Sequence, residues 1–242
     1  MDEQKQQYLD LLLANPDKIQ WKSLSLNPFA IDLVIEMSEK EPDKISYNNL
    51  LLNSEAMDLI YEMIEDDPDS INYKALMFNP SAIDLITEIL ETQPNKICWN
   101  SLSCNPAAIH ILEANRNKIN LKNLSLNPAA MHLLKAHPYM IDWNYLSSNP
   151  AAIQMITEML EISPNKIRIN WFYLSTNPEA IHILEVNQNK IHWSGLSKNI
   201  NAIHLLKENI NKIDWGEFCS GNLIYKYYLD NIKSKSNEYI LK

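Results

Sequence analysis

Apolar and polar positions along the chain recur with a helical spacing, and that spacing is itself repeated. Ala30, Leu33 and Val34 fall at i, i+3 and i+4, the stripe of a buried helix face. Just upstream, Trp21 and Leu24 stand three apart on one face of a second, shorter helix, for which the spacing predicts about two turns. The same two patterns return throughout the 242 residues. Asn105-Pro-Ala-Ala-Ile-His-Ile-Leu-Glu reappears as Asn127-Pro-Ala-Ala-Met-His-Leu-Leu-Lys and as Asn177-Pro-Glu-Ala-Ile-His-Ile-Leu-Glu. Each copy follows a version of the phrase Lys-Ile-x-Trp-x-x-Leu-Ser, cleanest in Lys96–Ser103, with Leu121 in place of Trp before Asn127 and two inserted residues before Asn177. Nine units then start at residues 15, 41, 67, 93, 115, 137, 163, 187 and 209. A period of this kind is the signature of a solenoid, in which no unit buries its own apolar face alone.

Punctuation fixes the register. All 12 prolines occupy two repeat positions, and all six tryptophans occupy one, shared with Tyr47, Tyr73 and Leu121. Ser46, Asn72, Asn120, Asp142, Asn170 and Asp214 precede the aromatic position and suit an N-cap. Asn27 and its equivalents cap the second helix, with Pro28 at the first helical position, where its missing N–H costs nothing. Lysines such as Lys18, Lys44 and Lys96 follow the second helix, where a cation suits the helix dipole. The tryptophan column reads as core. Units of 26 residues exceed those of 22 by about one helical turn. The extra residues (Ile64, Ile89, Leu90, Met159, Leu160) lengthen the second helix, and two inserted residues in Lys166–Trp171 predict a bulge.

The expected fold is therefore all-α, a helical-repeat solenoid of about nine two-helix units of 22–26 residues with terminal capping helices. Residues 1–14 form the N-terminal capping helix, since Tyr8–Ala14 matches the second half of a repeat. Residues 15–220 are the tandem two-helix repeats. Residues 221–242 form a C-terminal capping helix and polar tail: Asn222–Ile232 sits where a second helix belongs, but without the Asn-Pro pair and with Tyr225, Tyr227 and Tyr228.

The Asn-Pro-x-Ala-Ile-His-Leu-Leu and Asn-Lys-Ile-x-Trp-x-x-Leu-Ser phrases resemble the short tandem helical repeats of giant DNA viruses of the mimivirus and marseillevirus kind. The resemblance spans nearly the whole chain. It implies a viral protein acting in the infected host cell, in the host cytoplasm or viral factory or packaged in the virion, and it supplies no catalytic residues.

Composition narrows the chemistry. Hydrophobic residues make up 46% of the chain and charged residues 21%, a globular balance with no apolar run long enough for a membrane span. The opening residues lack the grading of a signal peptide. Three cysteines, Cys98, Cys104 and Cys219, make neither a disulfide framework nor a zinc signature. With three glycines in all, Gly-rich phosphate loops are excluded, and no nucleophile-elbow or dinucleotide motif occurs. An enzyme is not expected, nor a cofactor.

One polar column invites a site: Asp32, Asp58, Asp84, His110, His132, Gln154, His182 and His204. Packed helices lie about 8–10 Å apart, too far for successive units to place several ligands about 2 Å from one zinc. The column reads as a polar surface row, with His110, His132, His182 and His204 open to partner recognition and no metal expected. The two positions between Trp and Leu vary most. There Lys122-Asn123, Asn144-Tyr145 and Phe172-Tyr173 stand in consecutive units, and Tyr145, Phe172 and Tyr173 are candidate hot spots, because aromatic anchors dominate interface energies. Packing of the bulged unit is the competing role.

Residues 1–114 carry 7 basic and 20 acidic side chains, a net −13, and residues 115–242 carry 14 and 10, a net +4. A nucleic-acid partner wants a clustered basic stripe, so it is disfavoured, although Lys166, Arg168, Lys190, Lys198 and Lys212 in the second half keep a single-stranded RNA array open. The favoured reading is a non-catalytic protein–protein interaction scaffold with an unidentified protein partner. The alternatives are the RNA array and a self-assembling component of a virus particle that associates head to tail.

Overall fold

In the computed structural model, residues 2–162 and 169–221 are described. Among them are 18 short α-helices and 14 3-10 turns, and no strand. No helix among the described residues is long and apolar enough to cross a membrane. The predicted C-terminal helix, the polar tail and the first half of the bulge in unit seven lie outside the described residues.

Each repeat is built in four steps. A short helix comes first, of four residues in units one to six (Trp21–Leu24 in unit one, Trp99–Leu102 in unit four) and of six, five and six residues in units seven to nine (Trp171–Thr176, Trp193–Ser197, Trp215–Ser220). Units one to six thus show one turn rather than the expected two, while the six residues in units seven and nine come close to two; the extended N-cap Asn six residues after the aromatic (Asn105 φ −78°, ψ 115°; Asn177 φ −79°, ψ 114°) sets the far limit. A 3-10 turn then opens on Pro (Pro106–Ala108) and runs into the second helix (Ile109–Ala114). A second 3-10 turn (Arg116–Lys118) leads to the next unit. The long units place their extra residues where expected: Ile31–Lys40 has 10 residues against 6 in Ile109–Ala114.

All six predicted N-caps form. Ser46, Asn72, Asn120, Asp142, Asn170 and Asp214 each accept a backbone N–H of their helix's first turn. The second Asn column does more than cap. Asn127 Oδ1 accepts from Ala129 N at 2.9 Å, while its Nδ2 donates to Ser103 O at 3.1 Å and Asn105 O at 2.9 Å in the preceding unit. Asn105, Asn177 and Asn199 repeat this three-way pattern. These side chains are fully buried and satisfied, so each seam has a fixed register. A serine column adds a second inter-unit bond: Ser103 Oγ donates to Trp99 O and accepts from Asn120 N at 2.9 Å.

Between these polar ladders lies a continuous core. Leu24, Leu50, Leu76, Leu102, Leu124, Leu146, Leu174 and Leu196 are fully buried, each burial worth roughly 1.5–3 kcal/mol. Ala30, Ala56, Ala82, Ala108, Ala130, Ala152, Ala180 and Ala202 are buried where the 3-10 turns of neighbouring units meet. The tryptophans, expected in the core, are instead half-buried and pack against it. Two of their rings are covered by a lysine of the following unit: Lys190 Nζ lies 4.8 Å from the Trp171 ring centre and Lys212 Nζ 4.2 Å from that of Trp193. Lys96 covers Tyr73 in the same way at 4.2 Å. The repeat lysine is thus a cation–π partner across the seam as well as a helix-end charge.

The array does not end in two open faces. Its curvature brings the ninth unit onto the first. The helix Trp215–Ser220 packs on Trp21–Leu24, and the N-terminal helix (Asp2–Leu13) packs on the eighth unit's second helix (Ile203–Glu208). The N-terminal helix therefore supplies the second helix of unit nine, the place expected for Asn222–Ile232. Leu12 joins the second-helix column of Val34, Ile60, Ile86 and Leu112, Tyr8 takes the alanine position, and Phe218 takes the leucine position. The molecule is a closed ring of helical repeats.

Candidate functional site

Ring closure turns one repeat position inward. The residue just before each N-cap Asn faces the axis, and the column reads Leu26, Leu52, Phe78, Cys104, Leu126, Ser148, Thr176, Lys198 and Ser220. Eight of these, with Pro150, Phe172, Tyr173 and Gly221, line an axial pit of about 360 Å3. Cys104, the remaining member, is buried, and burial pushes its thiol up to about 12, so it is no nucleophile near neutral pH.

The lining is two-sided. Units one, two, three and five contribute Leu26, Leu52, Phe78 and Leu126; units six to nine contribute Ser148, Thr176, Lys198 and Ser220. Ser148, Thr176 and Ser220 hydroxyls donate to the carbonyls of Tyr145, Tyr173 and Glu217, at 3.0, 2.7 and 2.8 Å. Their oxygens are therefore oriented as acceptors. Among the described residues Lys198 is the charged side chain of the lining, and it pairs with Glu217 at 2.6 Å.

Of the aromatic candidates, Phe172 and Tyr173 stand in the pit wall, and Tyr145 meets Tyr173 edge-on at 5.6 Å. Phe172 contacts Tyr173 at 5.3 Å and His192 at 4.9 Å, both edge-on. All three aromatics are half-buried. Lys122 extends the cluster, its Nζ 5.0 Å from the Tyr145 ring and 3.7 Å from Asp142. Burial, with the neighbouring Tyr145 and Asp142, raises the Tyr173 phenol above its ordinary range, which keeps it a neutral hydrogen-bonding group. Gly195 makes the tight packing beside the cluster possible: a Cβ there would lie 2.5 Å from Phe172 O.

The remaining candidates separate from this cluster. Asn144 is exposed beside it. Asn123 is committed to the seam, its Nδ2 donating to Asn100 O at 2.8 Å. His110, His132, His182 and His204 are exposed on the second helices, away from the short helices that carry the aromatics. His132 reaches Glu113 of the preceding unit at 2.8 Å, and His204 reaches Glu185 at 3.2 Å. Both contacts join neighbouring units across the surface. Among the described residues no three His, Cys, Asp or Glu side chains are grouped to hold a metal ion.

Three of the basic candidates of the second half have partners within the fold. Lys190 and Lys212 lie over tryptophan rings and Lys198 is paired with Glu217, while Lys166 and Arg168 lie outside the described residues.

Sequence reasoning named Phe172 and Tyr173, which the fold places in the pit wall, as partner anchors and missed the axial column. Its signal was the one position beside the invariant Asn that switches from apolar to polar halfway along the chain. No family model, curated protein or solved structure matches the chain.

Proposed function

We propose that this protein is a non-catalytic interaction scaffold that holds a protein partner on the Tyr145–Phe172–Tyr173 cluster. One observation carries the reading. Three aromatic side chains from two successive short helices are held edge-to-edge at half burial, next to a lysine and a concave axis. Large, rigid, partly exposed rings with a polar rim are the usual composition of an interface hot spot. The rest of the ring is a stack of satisfied seams, which makes a stiff frame for such a patch.

A viral origin, with action in the host cytoplasm or viral factory, rests on the repeat phrasing alone. The head-to-tail assembly reading loses support, because the first and ninth units cover one another's end faces. The RNA reading loses support because Lys190, Lys198 and Lys212 already hold partners.

The test is capture of partners from infected-cell lysate, with nuclease, on the wild type and on Asn144→Ala/Tyr145→Ala and Phe172→Ala/Tyr173→Ala variants shown to be folded by circular dichroism. A discrete protein retained by the wild type and lost from both variants supports the scaffold. Capture that nuclease abolishes, or that both variants retain, overturns it.

A further inference from the structure

We infer that the axial pit is the seat of the chain's own segment 223–229, which covers the pit's apolar arc. Gly221 is itself part of the pit lining, so the segment starts at the pit wall. It reads Leu-Ile-Tyr-Lys-Tyr-Tyr-Leu, six apolar or aromatic side chains in seven, a run that gains by burying its surface. The place its repeat position would give it, the second helix of unit nine, is taken by Asp2–Leu13. The pit offers apolar surface within immediate reach of Gly221: Leu26, Leu52, Phe78 and Leu126 are half-buried along one arc.

The opposite arc fits the same occupant. Ser148 and Ser220 hydroxyls donate to carbonyls of their own helices, so their oxygens meet an incoming group as acceptors. Lys198 is neutralised by Glu217 at 2.6 Å, which leaves an anion no partner there. A tyrosine suits such a lining, because its ring is apolar and its phenol O–H donates. Tyr225, Tyr227 and Tyr228 supply three within four positions. The tether adds to the fit: a segment joined at Gly221 meets the pit at an effective concentration on the order of millimolar. Phe172 and Tyr173 stand in the same wall, so the segment would compete with a partner bound on those rings. The test below is read without any partner, so its outcome is independent of the scaffold reading.

Disulfide trapping in the full chain tests the seat. In a Cys98→Ser/Cys104→Ser/Cys219→Ser background, Tyr225→Cys is paired with Leu126→Cys in the pit or, as control, with Asp58→Cys at an exposed position of a second helix. Under mild oxidation the pit pair is expected to close an intramolecular disulfide at least tenfold faster than the control. Leu52→Cys serves if circular dichroism shows the Leu126 variant misfolded. Lys226 reports the same seat without new cysteines. Trypsin should cut the wild type after Lys226 at least tenfold more slowly than after Lys233. Tyr225→Ser/Tyr228→Ser, which leaves the ring untouched, should remove that difference. Equal closure rates for the two pairs overturn the inference, as does a bridge formed between chains, which would seat a second copy's segment instead. So does cleavage after Lys226 as fast as after Lys233 in the wild type, or protection that the double variant keeps.

Discussion

Two seams of the ring solve one problem with different atoms. Between units four and five, Asn127 Nδ2 donates to the carbonyls of Ser103 and Asn105, and Ser103 Oγ accepts from Asn120 N. Between units nine and one, Asn27 Nδ2 donates to Cys219 O at 3.1 Å and to the Tyr8 hydroxyl at 2.7 Å, and Cys219 Sγ accepts from Gln20 N at 3.4 Å. The cysteine sulfur stands where serine oxygen stands elsewhere. The tyrosine oxygen stands where the carbonyl of the next Asn would be, because Gly221 occupies that place and leads the chain out of the repeat. Its φ of +60° is left-handed, and a Cβ there would lie 2.8 Å from Asn27 Nδ2, so only glycine fits. The comparison shows that closure keeps the hydrogen-bond pattern while drawing the groups from opposite ends of the chain.

Removing the substitute should therefore cost more than removing a regular member. Tyr8 stacks on Phe218 at 4.6 Å, donates to Phe218 O at 3.0 Å and is 3% exposed. Tyr8→Ala empties an aromatic volume and leaves the Asn27 amide short of an acceptor. A loss of about 3–5 kcal/mol is expected in urea unfolding, with the ring opening at this seam first. At the regular seam, Asn127→Ala removes a cap worth about 0.5–2 kcal/mol and strips a donor from two buried carbonyls. The expected loss is about 2–4 kcal/mol. A larger effect of Asn127→Ala than of Tyr8→Ala would mean that closure contributes little to the fold.

Alkali should separate the seams without mutating the regular one. Burial holds the Tyr8 phenol protonated to well above its ordinary range near 10, with the Cys219 thiol adding to the shift. The unfolded chain ionises first. The contribution of Tyr8 is thus whole below about pH 10 and falls, by up to about 1.4 kcal/mol per pH unit, as pH rises toward the folded-state value. Tyr8→Phe should remove that part of the alkaline slope. Equal slopes in the two proteins would place the hydroxyl in water, contrary to the hydrogen bonds described.

Much of this was legible in the chain. The cap residues, the proline positions and the extra helical turn follow from local backbone chemistry, and each formed where its residue type requires. Closure was harder to read, because it depends on the small angle between successive units summed around the array, which no single residue encodes. Its traces were complementary: a ninth unit without Asn-Pro at one end, and Tyr8–Ala14 with the pattern of a spare second helix at the other. Asn222–Ile232 competed for the same place by position alone. The axial column was illegible for the same reason, since a repeat position acquires an inward face only when the ring shuts.

The smallest effect is the sharpest probe of equivalence between the seams. Cys219→Ser installs at the closure the residue that Ser103, Ser125, Ser175 and Ser197 provide elsewhere. A hydroxyl is the better acceptor for Gln20 N, while the smaller oxygen leaves a slight void at a fully buried position. These terms oppose each other, so the change in unfolding free energy should stay within about 1 kcal/mol. The thiol also reports opening. In a Cys98→Ser/Cys104→Ser background, Cys219 should react with a thiol reagent only through opened molecules, so Tyr8→Ala should speed its labelling severalfold or more and Asn127→Ala should do so less. Equal acceleration by both would show that the ring opens at either seam alike, and that the borrowed atoms of the closure hold as firmly as the repeated ones.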